Sequence, residues 1–591
     1  MNKKTSARLS SLRNKMNEYN ITACIIPSCD YHNSEYVNAC FKYRAYYSGF
    51  TGSAGTLYVT TNEAYLITDG RYFLQAENQL KGTEITLVKS GIPGQPDIFD
   101  LIRKTLKTGD KLFSDGRLMS GSLYEKLNML SGETGFDIIC DNSPVIAAAA
   151  DFPAQQFNSI RALPLSLTGK SSKEKINSIR EEMRKHGALA HVISSLEEIA
   201  WIMNMRGTDI KNTPVFYAYM YLTSDNAYLF AHESAASDIH DELKAAEVNL
   251  LPYHDFYSFL TKRKENSLLC DKSQVNYAII SAFDSSVEIT DKRDPGMLFK
   301  AIKNQTEVEN LKRVHLYDGL ALVRFMHYIK TADKTKLTEI SASEILRSLR
   351  EKCPDYKGDS FDTICAYGKN GAIIHYSATA ESDTSLSPQA SLLVDSGGQY
   401  EGGTTDVTRV FVLGDVTEEF KVHYTTVCKS MLRLQNAVFK EGVHCAVLDM
   451  LARESMWKMG LDYRHGTGHG IGYMLSVHEG PCSINYANTD PVLRAGMVVS
   501  DEPGYYADGK YGIRIENELI CKEMFSSEYG DFLGFEPLTV CPVDLDAINV
   551  DLLDRSDIKA LNDYHKFVYN SLAPFASEDE LSWLKEYTKD I

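Results

Sequence analysis

The 591 residues predict a mixed α/β (α+β) protein of several domains, and three observations carry that expectation. The first half of the chain repeats one helix–strand–hairpin pattern. Residues 296–545 mix helical stretches with glycine-punctuated strands. The length exceeds what a single hydrophobic core organises, so roughly two to four domains are expected.

The repeat is read from two pairs of segments. Residues 11–30, SLRNKMNEYNITACIIPSCD, align with 178–197, SIREEMRKHGALAHVISSLE; each reads as an amphipathic helix, a polar turn and a short apolar strand. LYVTTNEAYLI at 57–67 aligns with MYLTSDNAYLF at 220–230, each a hairpin over a turn of Thr/Ser/Asn/Asp type. The offsets, 167 and 163, nearly agree, so a unit of about 165 residues occurs twice. Pro144, Pro153, Pro164 and Gly169 interrupt regular structure between the copies, and TDKRDPGML at 289–297 closes the second. The predicted domains are 1–155, 156–293 and 294–591, the last with an extension from about 530. Thr306 and Glu309 read as a capping box opening a helix with Val308, Leu311 and Val314 on one side. The end of the chain reads as polar helices that pack through Leu552, Leu553, Leu561 and Trp583.

Composition excludes several classes of function. Hydrophobic residues make up 43% and charged residues 24%, an ordinary globular balance. The net charge of −17 argues against nucleic acid as a partner, because phosphate binding needs a basic face. The N-terminal segment is basic but lacks the apolar core of a secretion signal. No run approaches the roughly 18 apolar residues of a membrane span. Twelve cysteines without a CxxC pair read as free buried thiols in a reducing cytoplasm.

Chemistry concentrates in five segments of the last domain. Leu392-Leu393-Val394-Asp395 places a carboxylate at the end of an apolar strand, where an unpaired charge is expensive. Asp406 precedes a second apolar stretch, Val407–Val412, and the turn-rich GGQYEGG between the two predicts a hairpin with both aspartates near one end. His465-Gly466-Thr467-Gly468-His469-Gly470-Ile471-Gly472 surrounds two histidines with glycines, which lets backbone and ligand approach closely. Val498-Val499-Ser500-Asp501-Glu502 is again a strand ending in acids. Alternation in Gly512–Leu519 predicts one strand with Arg514, Glu516 and Glu518 on one face and Ile513 and Ile515 on the other.

Singly, such residues cap turns, pack or face solvent. Together, four carboxylates and an imidazole share a dry pocket only if cations neutralise them. Two divalent ions cancel four carboxylates and leave room for one bridging hydroxide. Oxygen-rich donors without thiolate favour Mn²⁺, with Co²⁺, Fe²⁺ or Zn²⁺ also accommodated.

In order and spacing, these segments resemble the creatinase/aminopeptidase "pita-bread" metallopeptidases, and within them the three-domain, cytosolic-type Xaa-Pro aminopeptidases (aminopeptidase P). Asp30-Tyr31-His32-Asn33-Ser34-Glu35-Tyr36 and Ser48-Gly49-Phe50-Thr51-Gly52-Ser53-Ala54-Gly55 are similar to that family's first domain, so nearly the whole chain is covered. The resemblance implies two creatinase-N-like α/β domains before a C-terminal pita-bread catalytic domain. It implies that Asp395 holds one metal, that Asp406 and Glu516 bridge both, and that His469 and Glu502 complete the ligand set of the second metal. Glu502 would be the proton acceptor, with His375 and His478 the substrate-binding and transition-state histidines. His465 would line the pocket after the scissile bond, and Arg514 would steady the bridging carboxylates. The implied reaction is hydrolysis of the first bond of peptides with proline second, by a homodimer in the cytoplasm. Prolidase, which cleaves dipeptides ending in proline, shares the ligands but usually has one N-terminal domain. Catalytically dead pita-bread modules lose ligands that are all present here.

Overall fold

The computed structural model describes residues 2–149, 151–488 and 492–591. The chain divides into two compact units. One comprises the residues up to Pro164 with Lys170–Gly296, the other Leu165–Gly169 with Met297–Ile591.

The first unit holds two six-stranded sheets. One contains β1 (Ala23–Ile26), β2 (Thr56–Thr60), β3 (Ala64–Thr68), β4 (Ile85–Lys89), β5 (Lys111–Phe113) and β6 (Asp137–Ile139). The other contains β7 (Ala190–Ile193), β8 (Ala218–Thr223), β9 (Ala227–Ala231), β10 (Val248–Pro252), β11 (Ser267–Cys270) and β12 (Glu288–Asp291). The spatial orders are β4-β3-β2-β1-β5-β6 and β10-β9-β8-β7-β11-β12, so the two sheets share one topology.

Local chemistry repeats with the topology. The helix Asn2–Glu18 buries Leu9, Leu12 and Met16 on one stripe, and the helix Ser172–Lys185 buries Ile176, Ile179 and Met183 at the same spacing. Both hairpins form as read. At their turns the Thr60 hydroxyl accepts from the backbone N–H of Asn62 and Glu63, and the Thr223 hydroxyl accepts from Asp225 and Asn226.

In the second unit, β13 (Ile364–Tyr367), β14 (Ser391–Ser396) and β15 (Val407–Val412) form one antiparallel sheet in the order β13-β14-β15. A larger sheet runs β16-β23-β22-β19-β17-β18. Its strands are β16 (Val438–Lys440), β17 (Gly468–Gly470), β18 (Glu479–Ile484), β19 (Val498–Asp501), β22 (Asn517–Ser527) and β23 (Gly530–Pro537). The pair β20 (Gly504–Ala507) and β21 (Tyr511–Arg514) is separate.

Three expectations are corrected here. The long helix Gln305–Thr331 is capped by Asn304 and Glu307 in a capping box, two residues before the predicted Thr306 and Glu309. Leu552 is exposed, whereas Leu553 and Leu561 are buried as predicted. Gly512–Leu519 is not one strand: the chain leaves β21 at Arg514 and enters β22 at Asn517, and Ile513, Arg514, Ile515, Glu516 and Glu518 are all buried. Alternation there does not divide core from solvent, because both faces are covered.

All twelve cysteines are unpaired, nine of them buried and none exposed. Among the described residues, no helix is long and apolar enough to cross a membrane.

Candidate metal centre

The two aspartates meet because the segment between them folds back. Asp395, near the end of β14, lies opposite Thr408 of β15, and Ser396 lies opposite Val407. Between the strands, Gly398–Tyr400 pairs with Gly403–Thr404, and the turn passes through Gly402 at φ +115°, a conformation open to glycine. Asp406 therefore sits just before β15, at the Asp395 end of the hairpin.

His469 lies in the middle of β17. Its backbone N–H donates to the Ser500 hydroxyl at 3.0 Å, and its Nδ1 lies 3.0 Å from the Gly470 carbonyl. That carbonyl fixes the proton on Nδ1 and leaves Nε2 toward the acids, 3.6 Å from Asp406 Oδ2 and 3.5 Å from Glu502 Oε1. The flanking glycines allow the close backbone approach predicted. A Cβ at Gly468 would lie 1.9 Å from the Ser500 carbonyl, and one at Gly470 would lie 2.1 Å from that of Glu479. They admit the backbone of neighbouring strands.

Glu502 follows β19 and is held by its backbone N–H, which donates to the Thr467 carbonyl at 2.8 Å. Glu516 lies between β21 and β22, where its Oε2 accepts from the Thr408 hydroxyl at 2.7 Å. Asp406, His469 and Glu516 each offer one ligand atom within 4.8 Å of the others. Asp395 stands outside that trio: its Oδ2 accepts from Arg514 at 2.5 Å, and its buried Oδ1 has no hydrogen-bond partner.

These residues fit a pair of cations. Burial first, and then Glu516, Asp395 and Glu502, push the Asp406 carboxyl well above its ordinary range. Burial, Asp395 and Glu502 do the same to Glu516. A protein holding these acids without compensating charge has a large unmet electrostatic demand, and the orphaned Asp395 Oδ1 adds an unfilled acceptor.

Of the remaining predicted residues, His478, His465 and Arg514 lie against this cluster. The His478 and His469 rings are 4.3 Å apart at 83°. His465 approaches Glu502 Oε2 at 4.0 Å and the Tyr506 hydroxyl at 2.9 Å. His375 is half-buried next to Ile374, whose carbonyl lies 3.5 Å from Arg514.

Sequence reasoning missed Tyr506 and His315 and gave no separate role to Asp501 or Glu518. Tyr506 accepts from Arg514 at 2.6 Å and so joins Arg514 to His465; burial pushes its hydroxyl up to about 12. Pairing of β20 with β21 brings it there, a register no local pattern announces. Asp501 is fully buried with neither carboxylate oxygen hydrogen-bonded, and burial holds its carboxyl well above its usual range. His315 and Glu518 form a buried pair at 3.1 Å behind Asp406.

Comparisons with known proteins cover the chain from end to end. Residues 8–147 and 151–307 each match a creatinase/prolidase N-terminal domain family. Residues 309–523 match metallopeptidase family M24, and 531–591 match the C-terminal region of that peptidase. A probable Xaa-Pro aminopeptidase P of Coprinopsis cinerea is 38% identical over 99% of this chain and 98% of its own. The Xaa-Pro aminopeptidase 1 of Dictyostelium discoideum is 36% identical over 99% of this chain and 96% of its own. The crystal structure of an X-prolyl aminopeptidase from Caenorhabditis elegans, described as a cytosolic enzyme with a di-nuclear active site, superposes with a TM-score of 0.95. It covers 99% of this chain and 100% of its own at 31% identity.

Proposed function

The chain belongs to the aminopeptidase P branch of metallopeptidase family M24, with two creatinase-type N-terminal α/β domains before a pita-bread domain; on that premise we propose that it removes the first residue of peptides whose second residue is proline. The observation that carries the proposal is the convergence of Asp406, His469 and Glu516 in a chain that aligns along its full length with such aminopeptidases.

Asp395, Asp406, His469, Glu502 and Glu516 would hold two divalent ions, Mn²⁺ before Co²⁺, Fe²⁺ or Zn²⁺ given oxygen-rich donors. Such a pair, when bound, makes water nucleophilic near neutral pH and polarises a carbonyl. The chain's own groups supply the rest. Glu502 accepts the proton of the attacking water and delivers it to the departing nitrogen. That delivery suits a prolyl amide, which carries no hydrogen of its own. His478, beside His469, donates to the oxygen that becomes negative at the scissile carbonyl. His375 and His465 orient the substrate on either side of that bond. Arg514 holds Asp395 in place, while the acidic pocket around Asp406 receives the free amine and so limits cleavage to the first bond.

A tripeptide such as Arg-Pro-Pro, assayed beside Ala-Pro, tests this reading against a prolidase. The tripeptide is cleaved between Arg and Pro. Turnover of the dipeptide alone would make the chain a prolidase.

We also infer a cytoplasmic homodimer. Unpaired, mostly buried thiols suit a reducing compartment. Val447, Met450, Leu451 and Trp457 lie exposed along the helix Cys445–Trp457, with Tyr486 beside Trp457, an apolar strip of the kind a second copy covers. Sedimentation of the native chain is expected to give a dimer, and Met450→Glu with Trp457→Glu a folded monomer. A native monomer, or a double variant that still dimerises, removes the inference.

A further inference from the structure

The strongest unassigned cluster lies behind the metal-binding carboxylates. Asp406 occupies the gap between the short Gly403–Thr404 strand and β15, so the sheet ladder does not hold its backbone N–H. That N–H donates instead to Oε1 of Glu518 at 2.5 Å. Glu518 stands two residues after Glu516 on β22, opposite Ser500 of β19, and its own N–H donates to the Thr539 hydroxyl at 2.8 Å. One carboxylate thereby ties the backbone of Asp406 to the strand that begins just after Glu516.

The other oxygen of Glu518 faces a histidine. His315, on the helix Gln305–Thr331, brings Nε2 to 3.1 Å from Oε2, and both side chains are buried. His315 Nδ1 lies 2.8 Å from the Leu311 carbonyl, which only accepts, so Nδ1 carries a hydrogen. One turn on, Asp318 is gripped by Arg350 at 2.7 Å and by the Tyr400 hydroxyl at 2.7 Å. The helix therefore presents a fixed polar face to Glu518.

Glu518 is thereby held at both oxygens, one by the backbone of Asp406 and the other against His315, with both side chains buried.

We propose that His315 and Glu518 are positioning residues for the metal centre: Glu518 orients Asp406 through its backbone, and His315 aims Glu518. This deepens the reading of the site given above and rests on it. Outer partners of ligands commonly govern metal affinity by about 10–100-fold.

The test uses the full chain stripped of metal, with Mn²⁺ binding measured by titration calorimetry and folding followed by circular dichroism. His315→Leu is expected to weaken Mn²⁺ binding by about 10–100-fold. His315→Gln keeps a donor for Glu518 without a titrating ring and is expected to bind within about threefold of the native chain. Equal affinity in His315→Leu and the native chain overturns the proposal, as does equal weakening in the Leu and Gln variants. If His315→Leu does not fold, Glu518→Gln against Glu518→Met replaces it. The amide still accepts from Asp406 and should bind Mn²⁺ at least tenfold more tightly than the thioether, and parity between the two overturns the proposal. The native chain and Asp406→Asn bracket the assay: a native chain that takes up no metal refutes the site itself, not the role of His315.

Discussion

Glu502→Gln is expected to lower kcat on an Xaa-Pro-Xaa peptide by about 10³–10⁴-fold, the upper part of the range for a positioned acid–base group. Glu502 follows β19 with its backbone anchored to Thr467, and its two oxygens face His469 at 3.5 Å and His465 at 4.0 Å. The amide preserves size and can still coordinate through its oxygen, but it cannot carry a proton from water to the leaving nitrogen. The rate falls even at saturating Mn²⁺, while the melting curve of the loaded protein stays close to native. A loss of less than tenfold under those conditions would move the proton transfer to another group.

The second large effect is a stability that depends jointly on metal and pH. Without metal, burial and mutual repulsion hold the Asp406 and Glu516 carboxyls well above their ordinary range. A carboxyl raised in the folded state stabilises the fold fully below its unfolded pKa, near 4, and loses that contribution as pH rises through the raised value. The metal-free chain therefore weakens as pH climbs from the ordinary carboxyl range toward neutrality and above. Divalent ions replace the protons and reverse the loss, so the gain in Tm on adding Mn²⁺ grows with pH. At about one hundred times Kd the stabilisation is about 2.7 kcal/mol, or about 4 °C in the transition of the C-terminal unit. Melting curves of stripped and Mn²⁺-loaded protein between about pH 5 and 8 check it. A gain that is flat or shrinks with pH contradicts the assignment of these two carboxylates.

What was legible in the sequence follows the range over which each feature is encoded. The paired N-terminal sheets could be read because helix stripe, strand and turn are local patterns that recur: Leu9, Leu12 and Met16 reappear as Ile176, Ile179 and Met183, and Thr60 as Thr223. The Asp395–Asp406 hairpin was legible for the same reason, since its turn lies within eleven residues of both acids. The helix cap was displaced by two residues because Asn304 with Glu307 satisfies the same rule as Thr306 with Glu309. The break at Ile515-Glu516 was hidden because alternation predicts a division between core and solvent, and here both faces are buried. Tyr506 and His315 carry no local signature, and alternation names Glu518 without announcing its partners. They reach the site through strand register and the packing of a helix from a distant part of the chain, which one sequence does not announce.

The most direct test of the account is the rate of Xaa-Pro-Xaa cleavage as Mn²⁺ is added to stripped enzyme, with bound metal counted in the same samples. The account predicts two equivalents per chain, negligible turnover without metal, full activity only as the second equivalent binds, and loss of both binding and rate in Asp406→Asn. Full activity with less than about one equivalent bound, or an Asp406→Asn enzyme that still works, would contradict it.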